Sequence, residues 1–97
     1  MNVVCSDREL DKALRDEITL LKRYGSLQAQ LLIRRIQTIR MSQSFEQLKS
    51  FPGHFHELTG DRSGQWACNL DQPYRLIFED AGNGTVNIIE IVNYHGK

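Results

Sequence analysis

The chain has 97 residues, twelve basic and twelve acidic groups, and 40% apolar residues. That length suits one domain, residues 1–97, around a single modest core and is too short for two. No apolar run reaches the ~18 residues of a membrane span, and the first residues lack the charged and apolar regions of a secretory leader, so the expected location is the cytoplasm.

Charge cancels overall but not locally. Residues 1–25 carry five basic and five acidic groups, residues 26–50 four basic against one acidic, and residues 51–97 three basic against six acidic. Contact with a polyanion must then rest on a local patch, because no global field draws it in. Cys5 and Cys68 form no CxxC pair, so zinc and thioredoxin chemistry lack support, and no cofactor is implied. Two reduced, buried thiols are expected; a disulfide is the alternative.

In chain order, residues 1–5 read as a short first strand. Ser6, Asp7, Arg8 and Glu9 fit a capping box with Ser6 as the cap. Leu10, Leu14, Ile18 and Leu21 recur at helical spacing, which predicts a helix to about Tyr24, stopped by Gly25. Ser26 can cap a second helix over about 27–41, with Leu32, Ile36 and Ile39 on one side and Arg34 on the other. So short a link predicts an antiparallel helical hairpin. A helical turn is expected at 44–48, and Pro52-Gly53 breaks the chain.

Beyond Pro52 the period changes. Residues 55–58, 65–70, 74–79 and 85–94 alternate like strands. Asp71-Gln72-Pro73 is a turn. Asn83-Gly84 favours a tight hairpin, so the last two strands should pair antiparallel. The expected architecture is α+β, a helical hairpin packed on a small, mainly antiparallel sheet. Alternation puts Arg75 on the face of Ile77, opposite Leu76, and gives His54 and His56 a common face. Trp66 reads as core.

The segment Leu58-Thr59-Gly60-Asp61-Arg62-Ser63-Gly64-Gln65-Trp66 resembles the HigB toxins of the RelE/ParE superfamily. So do Tyr74-Arg75-Leu76-Ile77-Phe78 and Ile91-Val92-Asn93-Tyr94-His95. The likeness is strong over residues 53–95 and weaker, mainly in element order, over the helical half. It implies a RelE-like α+β toxin that cuts messenger RNA in the ribosomal A site without a metal, the 2′-hydroxyl attacking the scissile phosphate. It also implies a HigA-like helix-turn-helix antitoxin as partner.

Carried over by position, the matching residues are His56, Leu58, Arg62, Arg75, Tyr94 and His95. Thr59 stands where the family typically has lysine, and Asn93 where many members have aspartate. Histidine can serve as acid or base, because it titrates near ~6.5 when unperturbed. His95 is the first choice for proton transfer, and an exposed tail histidine is its alternative. An arginine fork suits a phosphate. For Arg75 the alternative is an ion pair with Glu79, Asp80 or Glu90; for Arg62, a solvated loop side chain. Tyr94 can stack on a base or pack on the sheet, and His56 can line the site or be structural. Because lysine would supply charge to the transition state and Thr59 cannot, Arg62 or the Arg34–Arg35 pair would have to compensate. Two other functions remain open: a ParE-like protein that blocks gyrase without catalysis, and an inactive homologue that only binds an antitoxin.

Overall fold

The computed structural model describes residues 1–94. β1 (Asn2–Cys5) leads to α1 (Arg8–Arg15), α2 (Glu17–Met41) and the short α3 (Phe45–Leu48). Four strands follow: β2 (His56–Glu57), β3 (Gln65–Asn69), β4 (Tyr74–Gly82) and β5 (Thr85–Asn93), with a 3₁₀ turn at Gly60–Arg62 between β2 and β3. Together the strands form one five-stranded sheet in the order β1-β5-β4-β3-β2. β2 to β5 pair antiparallel, and β1 joins the edge of β5 in parallel. The expected α+β architecture is therefore present, on a mixed sheet.

The helices cover one face only. Trp66, Cys68, Leu76, Phe78, Val86 and Ile88 share a buried cluster with Leu10, Ala13, Leu20, Ala29, Leu32, Ile36, Ile39 and Leu48. Ala67 and Ile77, which alternate with those strand residues, are buried on the other face and lie outside that cluster. Period two has sorted the strands as expected, apolar groups toward the helices and mixed groups away from them.

Several local expectations need correction. The cap of α1 is Asp7, whose side chain accepts from Leu10 N, while Ser6 Oγ donates to Ile88 O instead. The first helix does not run to Tyr24: Asp16 leaves helical geometry (φ −137°, ψ 109°), ends α1 and caps α2 through Ile18 N. That break shifts the helical phase, so Leu20 is buried while Ile18 and Leu21 are exposed. Gly25 is also a true break inside α2, at φ 82° and ψ 167°. The 55–58 strand shrinks to His56–Glu57, because His54 takes a turn conformation at φ 53°. His54 therefore shares no strand with His56, although their ring centroids lie 4.3 Å apart. Ser44 caps α3 as a helical turn there requires. Asn83 and Gly84 both have positive φ between the paired Gly82 and Thr85, the two-residue turn that Asn-Gly favours. Both cysteines are free, with Cys68 buried and Cys5 only partly so; β4 and β5 lie between their strands, which rules out a bridge.

Candidate active site

The open face of the sheet carries the residues of interest, and strand pairing fixes their places. His56, Ala67, Ile77 and Glu90 form one row across β2, β3, β4 and β5, and Asn69, Arg75 and Val92 form the next. Arg75 thus stands on the face of Ile77, as alternation required.

Glu90 is on this face because of a bulge. Phe78 pairs with Ile88 and Ile77 with Glu90, which leaves Ile89 as an extra residue in β5. In an unbroken strand Ile88 and Glu90 would share a side; the bulge sends Ile88 to the core and Glu90 to the open face. There Glu90 meets Arg62 from the 3₁₀ turn, with Nη2 donating to Oε2 at 2.6 Å. Arg62 Nη1 donates to Gln65 Oε1 at 2.8 Å, so one guanidinium ties β3 to β5 over the top of β4. The side chains are 40% and 39% exposed, which limits the pair to about 0.2–1 kcal/mol of stability. Its main effect is to fix where Arg62 sits.

Arg75 makes no ion pair among the described residues. Of its three expected alternatives, Glu90 is taken by Arg62 and Glu79 accepts from Asn87 Nδ2. Instead the Arg75 guanidinium carbon lies 3.9 Å from the centre of the Tyr94 ring, a cation–π stack. Its Nε is buried with no partner among the described residues, as is Oδ1 of the facing Asn69. An orphaned donor costs about 1–3 kcal/mol, and because this nitrogen is out of reach of solvent it is no landing place for a ligand.

Between the loop and the sheet lies a cavity of about 210 Å³, lined by Leu58, Thr59, Asp61, Arg62, Ile77, Val92 and Tyr94. Three of the resemblance-derived positions, Leu58, Arg62 and Tyr94, line it, and Arg75 touches it through Tyr94. His56 does not line it. Its Nδ1 bonds the carbonyl of His54 at 2.8 Å; a carbonyl only accepts, so Nδ1 carries a proton, which in the neutral ring leaves the lone pair on Nε2. His95, the first choice for proton transfer, lies outside the described residues, and Asn93 and Tyr94 lead up to it. Arg35 is structural: its Nε donates to Asn69 O at 2.8 Å, and a Cβ on Gly53 would lie 2.7 Å from the same atom. Arg34 is exposed on the helix. Trp66 is core, as read.

Sequence reading missed Glu90 and Gln65 as the holders of Arg62. The pattern that could have exposed them, an Ile-Ile-Glu run whose parity disagrees with its flanks, gains meaning only once the pairing partner is known. Among the described residues no group of three or more His, Cys, Asp or Glu is placed to hold a metal ion, and no helix is long and apolar enough to cross a membrane.

The sequence matches no family model and no curated protein. Solved structures do match. The chain is similar to a YoeB/ParE toxin from Agrobacterium tumefaciens, with a TM-score of 0.71 and 16% identity over 98% of this chain and 100% of that one. It is similar to the YoeB of a Staphylococcus aureus dimer, with a TM-score of 0.67 and 11% identity over 99% and 98%. A conserved hypothetical protein of Helicobacter pylori follows, with a TM-score of 0.51 and 17% identity over 97% and 94%. At these identities the likeness is one of fold. This chain has the fold of the RelE/YoeB-like toxins.

Proposed function

We propose that this chain is the toxin of a type II toxin–antitoxin pair and that it cuts messenger RNA on the ribosome. The observation that carries the reading is that Arg62 and Tyr94 line one cavity on the open sheet face, with Arg75 stacked on Tyr94 and in no ion pair among the described residues. Two guanidinium groups and an aromatic ring suit a phosphate flanked by bases.

In the reaction the 2′-hydroxyl loses its proton and attacks the adjacent phosphorus. The phosphorane then expels the 5′-oxygen, which takes up a proton, leaving a 2′,3′-cyclic phosphate. Arg75 and Arg62 neutralise the added negative charge, Tyr94 stacks on a base, and His95 moves a proton; His56, with Nε2 free, is the alternative base. A placed acid or base contributes about 10²–10⁴-fold, and no metal enters the scheme. With a net charge of zero the protein lacks a general attraction for RNA, so the ribosome presents the message in its A site. The ordered motifs of residues 53–95 support the HigB subtype and, with it, a HigA-like helix-turn-helix antitoxin in the cytoplasm.

Inducing the chain without an antitoxin is expected to arrest growth and to yield cut messages on ribosomes. His95→Ala or Arg75→Ala relieves the arrest. Full toxicity of both variants at equal protein level would sink the catalytic assignment, and altered DNA supercoiling with intact messages would point to a ParE-like gyrase poison.

A further inference from the structure

The cavity beneath the loop is built of two unlike halves. Leu58, Ile77 and Val92 are apolar, and Tyr94 contributes a ring that is 53% exposed. Thr59, Asp61 and Arg62 are polar. Of these only Arg62 is engaged, by Gln65 and Glu90; the Asp61 carboxylate and the Thr59 hydroxyl have no side-chain partner among the described residues. At about 210 Å³ the space falls below the ~300–1,000 Å³ of sites for drug-sized ligands. It suits one flat ring system and not a whole nucleotide.

We propose that this cavity holds a base next to the scissile phosphate and that Asp61 makes it selective for guanine. The proposal rests on the nuclease reading above and names what that site reads. Single-stranded RNA is recognised by splaying out a base, stacking it on an aromatic ring and bonding its Watson–Crick edge. Tyr94, backed by the Arg75 guanidinium at 3.9 Å, is a stiffened stacking surface. A carboxylate only accepts hydrogen bonds, through two oxygens. Guanine presents two adjacent donors on that edge, N1–H and N2–H₂, and so matches both oxygens at once. Adenine and cytosine set an acceptor nitrogen beside their single amino group, which a carboxylate repels. Uracil sets one N–H between two carbonyls. The Thr59 hydroxyl can donate, which suits guanine O6.

The selectivity also fits the charge balance. Glu90 is neutralised by Arg62, so Asp61 is the free negative group of the cavity. Such a group disfavours phosphate at its own position and favours a base edge rich in donors. Phosphate is left to Arg75.

The test is a titration of the isotope-labelled full chain with GMP, AMP, CMP and UMP at millimolar concentration, following the methyl signals of Ile77 and Val92. GMP is expected to shift both and to bind at least about tenfold more tightly than the others, the scale of one good bidentate base contact. Asp61→Asn puts a donor beside an acceptor, so it should move the preference from guanine toward adenine or cytosine while the rest of the spectrum stays in place. Equal shifts from all four nucleotides, a preference unchanged in Asp61→Asn, or no shift at these methyls would each overturn the proposal. Cut sites on translating ribosomes are mapped alongside. A chain that cuts nothing removes the nuclease reading, whereas one that cuts without guanine bias, with no bias in the titration, removes only the base assignment.

Discussion

At the scale of single residues, the decisive feature is that the two arginines of the open face are held in different ways. Arg62 is pinned by a carboxylate and an amide, Arg75 by the face of a ring. Glu90 therefore orders Arg62 and at the same time cancels half of what it offers a phosphate. Glu90→Gln separates those effects, because the carboxamide oxygen still accepts from Nη2 while the negative charge is gone. Single-stranded RNA should bind the variant a few-fold more tightly at low salt, and the gain should fade as salt rises. The melting temperature should barely move, since an exposed pair is worth at most about 1 kcal/mol. Weaker RNA binding by Glu90→Gln would show instead that the carboxylate's charge is needed to hold the guanidinium in place.

At the scale of elements, the breaks decide the architecture as much as the apolar pattern does. Gly25 sits at φ 82° and ψ 167°, with nothing within 4 Å of where a Cβ would stand. A side chain there meets no neighbour, so any penalty lies in the backbone, in a region essentially confined to glycine at about 1–3 kcal/mol. Gly25→Ala should lower stability by that amount in urea unfolding, and Gly25→Asn by about as much, since the tolerance of Asn for positive φ is confined to the left-handed helical region, far from ψ 167°. Equal stability of wild type and Gly25→Ala would mean that the helix passes this point without a break. These elements also show where sequence reading stops. The change of period at Pro52, the Asn83-Gly84 turn and the face of Arg75 follow from local rules and were legible. Asp16 was not, because Leu10, Leu14, Ile18 and Leu21 fit an unbroken helix equally well, and only packing against the sheet selects Leu20. Nor was the Ile89 bulge, which depends on the register between β4 and β5. The candidate site was thus half visible: Leu58, Arg62 and Tyr94 at the cavity and Arg75 beside it by motif, and Glu90 and Gln65, which hold Arg62, only through pairing between distant strands.

At the scale of the whole molecule, one core under one sheet face supports everything above it, and Cys68 lies in its centre. It is fully buried on β3 among the residues that face the helices. Burial raises its thiol from the ordinary 9.0 to about 12, with Arg35 pulling weakly the other way. The unfolded chain would release this proton near its ordinary value and the folded chain only near the raised one. The stabilisation is therefore complete below pH 9 and is lost as pH climbs from there toward about 12, at about 1.4 kcal/mol for each pH unit. Cys68→Ala lacks the proton and should lose stability less steeply over the same window, while tyrosines and lysines contribute equally to both proteins. Urea unfolding of the pair at neutral pH and at several alkaline values measures the difference directly. At neutral pH the wild type should be the more stable by the cost of the small cavity that alanine leaves, and that advantage should close and then reverse as pH rises. Parallel slopes would mean that the thiol ionises in the folded state as readily as in water, and so that the layer between helices and sheet is open to solvent. Such an opening would also loosen the register that holds Glu90 and Arg75 in place.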